Sequence, residues 1–198
     1  MTDRATEAER VSLVVHELRS PIAAVLAAAR ALQEGWPELS GDQRSELLSM
    51  IVDETGRLGS LVDDLLDTSR IESGTFAYTF AEVDLGALAR ETAAAIVLGR
   101  GGALVDVQAA DPLPLVRGDG RRLRQVLSNL IENAVTVSPP GSAVDVRASA
   151  EGAGVLVSVE DHGPGIPPEQ QSLIFEKFVR GDPAPGRPGT GLGLYIAR

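Results

Sequence analysis

A chain of 198 residues, 43% of them hydrophobic, has room for one large globular domain or two small ones and enough apolar side chains to fill them. Its formal net charge of -10 argues against non-specific nucleic-acid binding, which needs clustered Lys and Arg to release phosphate counterions. Cysteine is absent, which excludes disulfide and thiol chemistry. With a charged start (MTDRATEAER) and no uninterrupted run of about 18 apolar residues, the sequence predicts a soluble, cytoplasmic segment without membrane contact.

From the N-terminus, Val11, Val15, Leu18, Ile22, Val25, Ala29 and Leu32 recur in steps of four and three, the seam of a long bundle helix. EGWP breaks it at residues 34–37. Ser40, Gly41 and Asp42 offer caps for a second helix, with a seam through Ile51, Leu58, Val62 and Leu65 and an end at Gly74. The two segments predict an antiparallel hairpin. Leu47, Leu48, Leu61 and Leu66 widen its apolar surface beyond one seam, so pairing two hairpins into a four-helix bundle buries what one leaves wet.

After Gly74 the pattern changes. Phe76, Tyr78 and Phe80 alternate as a strand does, and Asp84 caps an Ala-rich helix reaching about Leu98. Strand-like pieces at residues 104–107 and 115–117 precede a helix over residues 119–137. VDVRASAEGAGVLVSVED reads as a hairpin bending at Gly152 and Gly154. The remainder predicts a Gly/Pro-rich loop, a short helix, a second such loop and a helix beginning near Thr190. From residue 75 onward this is an α+β domain.

Four stretches carry chemistry. In VHELRSP, residues 15–21, His16 lies about 100° round the helix from the seam residue Val15, on the solvent flank, where a neutral imidazole is a usable nucleophile. Glu17 points another way, Ser20 shares the His16 face at i+4, and Pro21 removes a helix hydrogen bond and predicts a loosened or bent helix. An ordinary surface histidine beside a kink explains the same residues. Asn129 and Asn133, also i,i+4, put two neutral oxygen ligands on one helical face, a set that suits Mg²⁺ sharing its shell with phosphates and water, or simply two solvated amides. In VEDHGPGIP, residues 159–167, Asp161 at a strand end can accept from an exocyclic amine while Gly163 and Gly165 let the backbone approach a ligand; a tight turn or weak calcium loop looks alike. PGTGLGL, residues 188–194, exposes backbone N–H groups for phosphate at or just before a helix start, although the Lys-Ser/Thr ending of a Walker loop is missing. Lys177 and Arg180 lie between the last two, near Phe175 and Phe178, and read as phosphate contacts or as a basic surface loop.

In this order VVHELRSPIAAV, NLIENA, DHGPGI, IFEKF and GTGLGL resemble the H, N, G1, F and G2 boxes of the sensor histidine kinases, over nearly the whole chain. The resemblance implies an α+β fold with a dimerisation and histidine phosphotransfer hairpin at residues 1–74 and an ATP-binding α/β sandwich of the Bergerat type at 75–198. It makes His16 the phosphoacceptor, Glu17 its acid/base partner and Ser20 an auxiliary residue for the reverse phosphatase reaction. It implies ATP and Mg²⁺ as cofactors, with Asn133 the Mg²⁺ ligand, Asn129 beside it and Asp161 the adenine reader. Gly163, Gly165, Gly189, Thr190, Gly191, Leu192 and Gly193 would shape the nucleotide pocket, with Lys177 and Arg180 near the terminal phosphates. The activity implied is autophosphorylation of His16 and transfer to an aspartate of a response regulator receiver domain, by a homodimer whose parent protein is anchored, if at all, outside this segment.

The sequence departs from the family pattern at several points. Thr136 and Val137 stand where relatives often carry Lys and an aromatic residue, His162 replaces a commoner Asn, and Ser20 stands where phosphatase-active relatives carry Thr or Asn. Arg198 follows GLGLYIA directly where the family completes the helix and adds strands, so the sandwich is expected to be incomplete. A dimeric scaffold with an inert nucleotide domain is the rival reading. An ATPase of the gyrase or mismatch-repair type is disfavoured by the helical H box.

Overall fold

The computed structural model describes residues 2–100, 102–179 and 190–198, with side chains from Ser12 onward. These fall into two compact units, residues 2–75 with 190–192, and residues 76–179 with 193–198.

The first unit is built on α1 (Thr2–Gly35) and α2 (Gly41–Glu72), joined by a short turn. Ser40 is the N-cap of α2 and closes a capping box. Its hydroxyl accepts the Gln43 N–H at 3.2 Å, and the Gln43 side chain takes the Ser40 N–H at 2.9 Å. The Arg44 guanidinium lies 4.4 Å from the Trp36 ring centre and donates to the Trp36 carbonyl, so the turn is fixed from both sides. Ser73 and Gly74, the latter at φ 63, end α2.

The seam that periodicity suggests is only half covered. Leu32 is buried and Leu18 and Val25 are half-buried, beside Glu17, Pro21 and Ala28, whereas Val15, Ile22 and Ala29 are exposed. The cause is that α1 has two apolar stripes and a single neighbouring helix covers only one. On α2 likewise Leu61 is buried while Leu48, Val52, Val62 and Leu66 stay open. Pro21 sits inside α1, which continues as one helix through it. Contrary to the expectation of no membrane-compatible segment, Ser12–Gly35 has a mean hydropathy of 1.3 and by length and composition is apolar enough to cross a bilayer.

The second unit lays helices over a mixed sheet. α3 (Leu85–Gly99) is capped by Asp84, whose carboxylate accepts the Ala87 N–H at 2.9 Å. β2 (Leu104–Ala109) runs parallel to β4 (Ala143–Glu151), and β4 turns at Gly152, φ 58, into antiparallel β5 (Gly154–Glu160). Period-two alternation turns Val105, Val107, Val144, Val146, Val157 and Val159 to one face. There they meet Leu88, Ala89, Ala93 and Ile96 of α3 and Leu127, Ile131 and Ala134 of α4 (Gly120–Val137). α5 (Gly193–Ala197) is one short turn.

Three elements differ from expectation. Residues 76–80 are extended but unpaired, because their neighbour β3 (Val116–Gly118) is only three residues long and is used up by β1 (Ala81–Val83). Beyond that ladder the Asp119 carboxylate takes the Thr79 N–H at 2.8 Å in place of a strand carbonyl, and the Phe76, Tyr78 and Phe80 rings stack at 4.9 and 6.0 Å. The short helix expected around IFEKF is a chain of isolated turns, such as Leu173 N–H to Gln170 O and Glu176 N–H to Leu173 O. Its i,i+3 bonds do not propagate into a helix, and the last of them, Val179 N–H to Glu176 O, closes over Phe178 at φ 65. The last helix begins at Gly193 and not at Thr190.

Candidate functional site

On α1, His16 is exposed and Ser20, one turn further, is exposed beside it. Glu17 is turned the other way. It is 7% exposed, and its carboxylate accepts from the Arg57 guanidinium of α2 at 3.5 Å, which in turn lies 3.8 Å from Glu54. Sequence reasoning overlooked Arg57. The signal was available, since Glu17 and Arg57 are equidistant along the chain from Pro37 and a hairpin folded there sets them opposite.

In the second unit α4 positions the two amides. Asp119 caps it, accepting the Arg121 and Arg122 N–H groups at 3.1 and 3.2 Å as well as that of Thr79. The Thr79 N–H, foremost, holds the Asp119 carboxyl below its ordinary value; desolvation opposes it, and the Arg122 and Arg121 N–H groups with the Arg122 charge add to the lowering. With Leu127, Ile131 and Ala134 in the core, Asn129 and Asn133 face away from it. Asn129 is half-buried and its amide N–H donates to the Gly193 carbonyl at 3.0 Å, tying α5 to α4. Asn133 is exposed and has no hydrogen-bond partner for its side chain among the described residues.

The loop after β5 is docked on the end of the same helix. Asp161 is exposed and accepts the Gly163 N–H at 2.8 Å through Oδ1, and the His162 N–H donates to Ser138 Oγ at 3.3 Å. Gly163 is required by space. A Cβ there would stand 2.8 Å from Asp161 Oδ1, 2.9 Å from Val137 Cγ2 and 3.0 Å from the Val137 carbonyl. Gly165 is required by conformation, at φ 76. The turn that carries Asp161 is thereby packed through Gly163 against Val137, which is i+4 from Asn133 on α4. Behind it, Arg147 bonds Glu160 at 2.7 Å and holds that carboxyl below its ordinary value; the His162 ring stands 3.8 Å from Asp145.

Lys177 is half-buried with its ammonium 5.6 Å from the Tyr195 ring centre of α5. Thr190 and Leu192 are buried, Thr190 Oγ1 accepts the Leu192 N–H at 3.3 Å, and Gly191 has φ 70. Arg180 and Gly189, also expected in the site, lie outside the described residues.

The donor set discriminates between metals. Among the described residues no group of three or more His, Cys, Asp or Glu converges, which leaves no protein cage for zinc or calcium. A carboxamide oxygen beside open solvent fits a Mg²⁺ ion that keeps waters and takes its remaining ligands from phosphate.

Both halves match known families. Residues 7–74 match the His Kinase A (phospho-acceptor) domain, and residues 118–198 match the histidine kinase-, DNA gyrase B- and HSP90-like ATPase domain. A helical phospho-acceptor hairpin followed by this α/β ATPase domain is the catalytic core of a two-component sensor histidine kinase, and the chain belongs to that family. It is 33% identical over 197 residues to the sensor-like histidine kinase SenX3 of Mycobacterium tuberculosis, covering 98% of this chain and 48% of that protein. The histidine-protein kinase/phosphatase MprB of Mycolicibacterium smegmatis is 34% identical over 200 residues, covering 98% of this chain and 40% of MprB. The structure of full-length ShkA in complex with AMPPNP superposes with a TM-score of 0.63 at 34% identity, over 96% of this chain and 39% of that one. The chain thus spans about half the length, or less, of these relatives.

Proposed function

We propose that this chain autophosphorylates His16 from ATP and passes the phosphoryl group to an aspartate of a response regulator receiver domain, as a cytoplasmic, homodimeric two-component kinase core. The observation that supports the reading is an accessible imidazole next in sequence to a buried, Arg57-held carboxylate on the hairpin of a chain whose second unit turns Asn129 and Asn133 to one face of α4 and packs the Asp161–Gly163 turn against Val137 at that helix's end. The 1–74 and 75–198 division assigns phosphoacceptor and dimerisation to the first part and nucleotide binding to the second.

Asp161 Oδ2 accepts from the adenine amino group, and Gly163 and Gly165 let the base approach the backbone. Asn133 would hold Mg²⁺ with Asn129 positioned beside it, and the ion, when bound, neutralises charge between the phosphates. By their place in the family's motifs Lys177 and Arg180 are assigned to the outer phosphates, and the glycine-rich stretch 189–193 to backbone N–H contacts with phosphate. The His16 nitrogen lone pair attacks the γ-phosphorus in line, the bond from that phosphorus to the β,γ-bridging oxygen breaks, and ADP leaves. Arg57 holds the Glu17 carboxylate on the α2 side of the helix, so Glu17 accepts the proton that the attacking imidazole sheds only after leaving that contact by a rotamer change. Ser20 orients water if the reverse reaction occurs. We read α1 as a bundle helix and not a membrane span, because its buried Glu17 pairs with α2 and apolar residues are left open on both helices of the hairpin.

Incubation with γ-labelled ATP and Mg²⁺ tests this. Label that survives alkali, is released by acid and is lost in His16→Gln supports it. Label persisting in His16→Gln refutes the assignment, and no label together with no Mg²⁺-dependent binding of a non-hydrolysable analogue favours an inert scaffold.

A further inference from the structure

α4 carries Arg121, Arg122 and Arg124 near its start and no Lys or Arg from there to its end at Val137. Around Asn129 and Asn133 its own charge is a single carboxylate, Glu132, which is the wrong sign for a triphosphate. Two of the early arginines are engaged elsewhere, Arg124 with Glu91 at 2.7 Å and Arg122 over the Phe76 ring at 4.2 Å, and Arg121 stands about two turns before Asn129.

A guanidinium arrives from another element. Arg100, the C-cap residue of α3, is anchored by its own N–H to the Ile96 carbonyl and sends its side chain to α4. Nη1 donates to Thr136 Oγ1 at 3.0 Å and Nη2 stands 3.8 Å from Glu132. Thr136 is i+3 from Asn133 and i+7 from Asn129, which puts the guanidinium beside the same helical face. The contact with Glu132 is long and both side chains are nearly half exposed, at 44% and 47%, so it is weakly held and exchangeable. Glu132 has a second partner in Ser128, whose hydroxyl bonds it at 2.8 Å and keeps it in place when the arginine moves.

Resting on the nucleotide-binding reading above, we propose that Arg100 is the cation that meets the outer phosphates of a nucleotide held against Asn129 and Asn133, exchanging Glu132 for phosphate oxygens while Thr136 steers it. α3 thus supplies the positive charge that α4 lacks at position 136.

Calorimetric titration of the full chain with a non-hydrolysable ATP analogue and, separately, with adenosine, both with Mg²⁺, tests this in wild type, Arg100→Gln and Arg100→Lys. Gln keeps a donor for Thr136 without the charge, and a thermal melt confirms that each variant is folded. The expected result is a loss of about ten- to hundredfold in analogue affinity for Arg100→Gln, with adenosine within about twofold of wild type and most of the loss recovered in Arg100→Lys. Equal losses for analogue and adenosine mean that Arg100 only clamps α3 to α4, and unchanged analogue affinity means that it touches no phosphate; either overturns the inference. Wild-type protein that binds neither ligand overturns the nucleotide reading itself.

Discussion

The side-chain amide of Asn129 donates to the backbone carbonyl of Gly193 at 3.0 Å, and a Cβ on Gly193 would lie 3.4–3.7 Å from the same side chain. The residue read as half of a metal-binding pair therefore spends its N–H groups on holding α5, and only its oxygen side remains for a ligand. Removing the amide leaves a half-buried carbonyl unpaired, a cost of roughly 1–3 kcal/mol. Asn129→Ala is expected to lower the melting temperature, to speed hydrogen exchange in residues 193–197 and to weaken nucleotide binding together. Asn129→Asp sets a carboxylate against the Gly193 carbonyl and is expected to be worse. Exchange rates at residues 193–197 unchanged in both variants would show that the bond does not hold the helix.

Gly163 gives a sharper steric prediction. Any Cβ there meets a carboxylate oxygen and a backbone carbonyl as well as a methyl group. Gly163→Ala is expected to destabilise the second unit by about 1–3 kcal/mol and to displace Asp161 from α4. Adding Val137→Ala removes the methyl contact but not the carbonyl one, so rescue is expected to be partial. Full recovery of melting temperature and analogue affinity in the double variant would mean that the backbone contact is unimportant.

Much of this was readable in the sequence, and the reasons differ by element. Asp84, Asp119 and Ser40 act as caps because their side-chain oxygens meet free N–H groups within three residues, a local rule that tertiary structure does not override. The shared outward face of Asn129 and Asn133 was legible because α4 is strongly amphipathic and only one of its faces is available. Three things were not legible. Which of two apolar stripes on α1 meets α2 is decided by pairing, so the 15-22-29 stripe was mistaken for the buried one. Residues 76–80 alternate like a strand but lack a partner, which a single segment cannot reveal. Arg100 carries no motif at all, and only the packing of α3 on α4 brings it to Thr136.

Acid titration offers a test of the Asp119 cap. Its folded pKa is lowered from the model-compound value of 3.8, mainly by the Thr79 N–H, so the ionised form binds the fold better than the protonated one. The stability it contributes is complete above the unfolded pKa and is lost as pH falls through the lower, folded value. Asp119→Asn mimics the protonated state. The variant is expected to melt below wild type at pH 7, with the gap closing only when the pH drops beneath 3.8. A gap that stays constant through that range would assign the effect to shape and not to charge.

The apolar stripe that one hairpin leaves open bears on assembly. Val15, Ile22 and Leu26 of α1 and Leu48, Val52, Val62 and Leu66 of α2 are each 45–69% exposed. These residues occupy helical positions that a second antiparallel hairpin would cover in a four-helix bundle. If they form the proposed dimer interface, placing a carboxylate in it forces desolvation of an unpaired charge, which costs several kcal/mol and outweighs what one leucine gains from burial. Leu26→Glu is therefore expected to shift sedimentation equilibrium from dimer to monomer by at least about a hundredfold in Kd. The helicity of α1 should be largely retained, because position 26 faces away from α2. Ala31→Glu, exposed and outside that stripe, serves as the control. An unchanged dimer in Leu26→Glu would place the interface on some other surface of the chain.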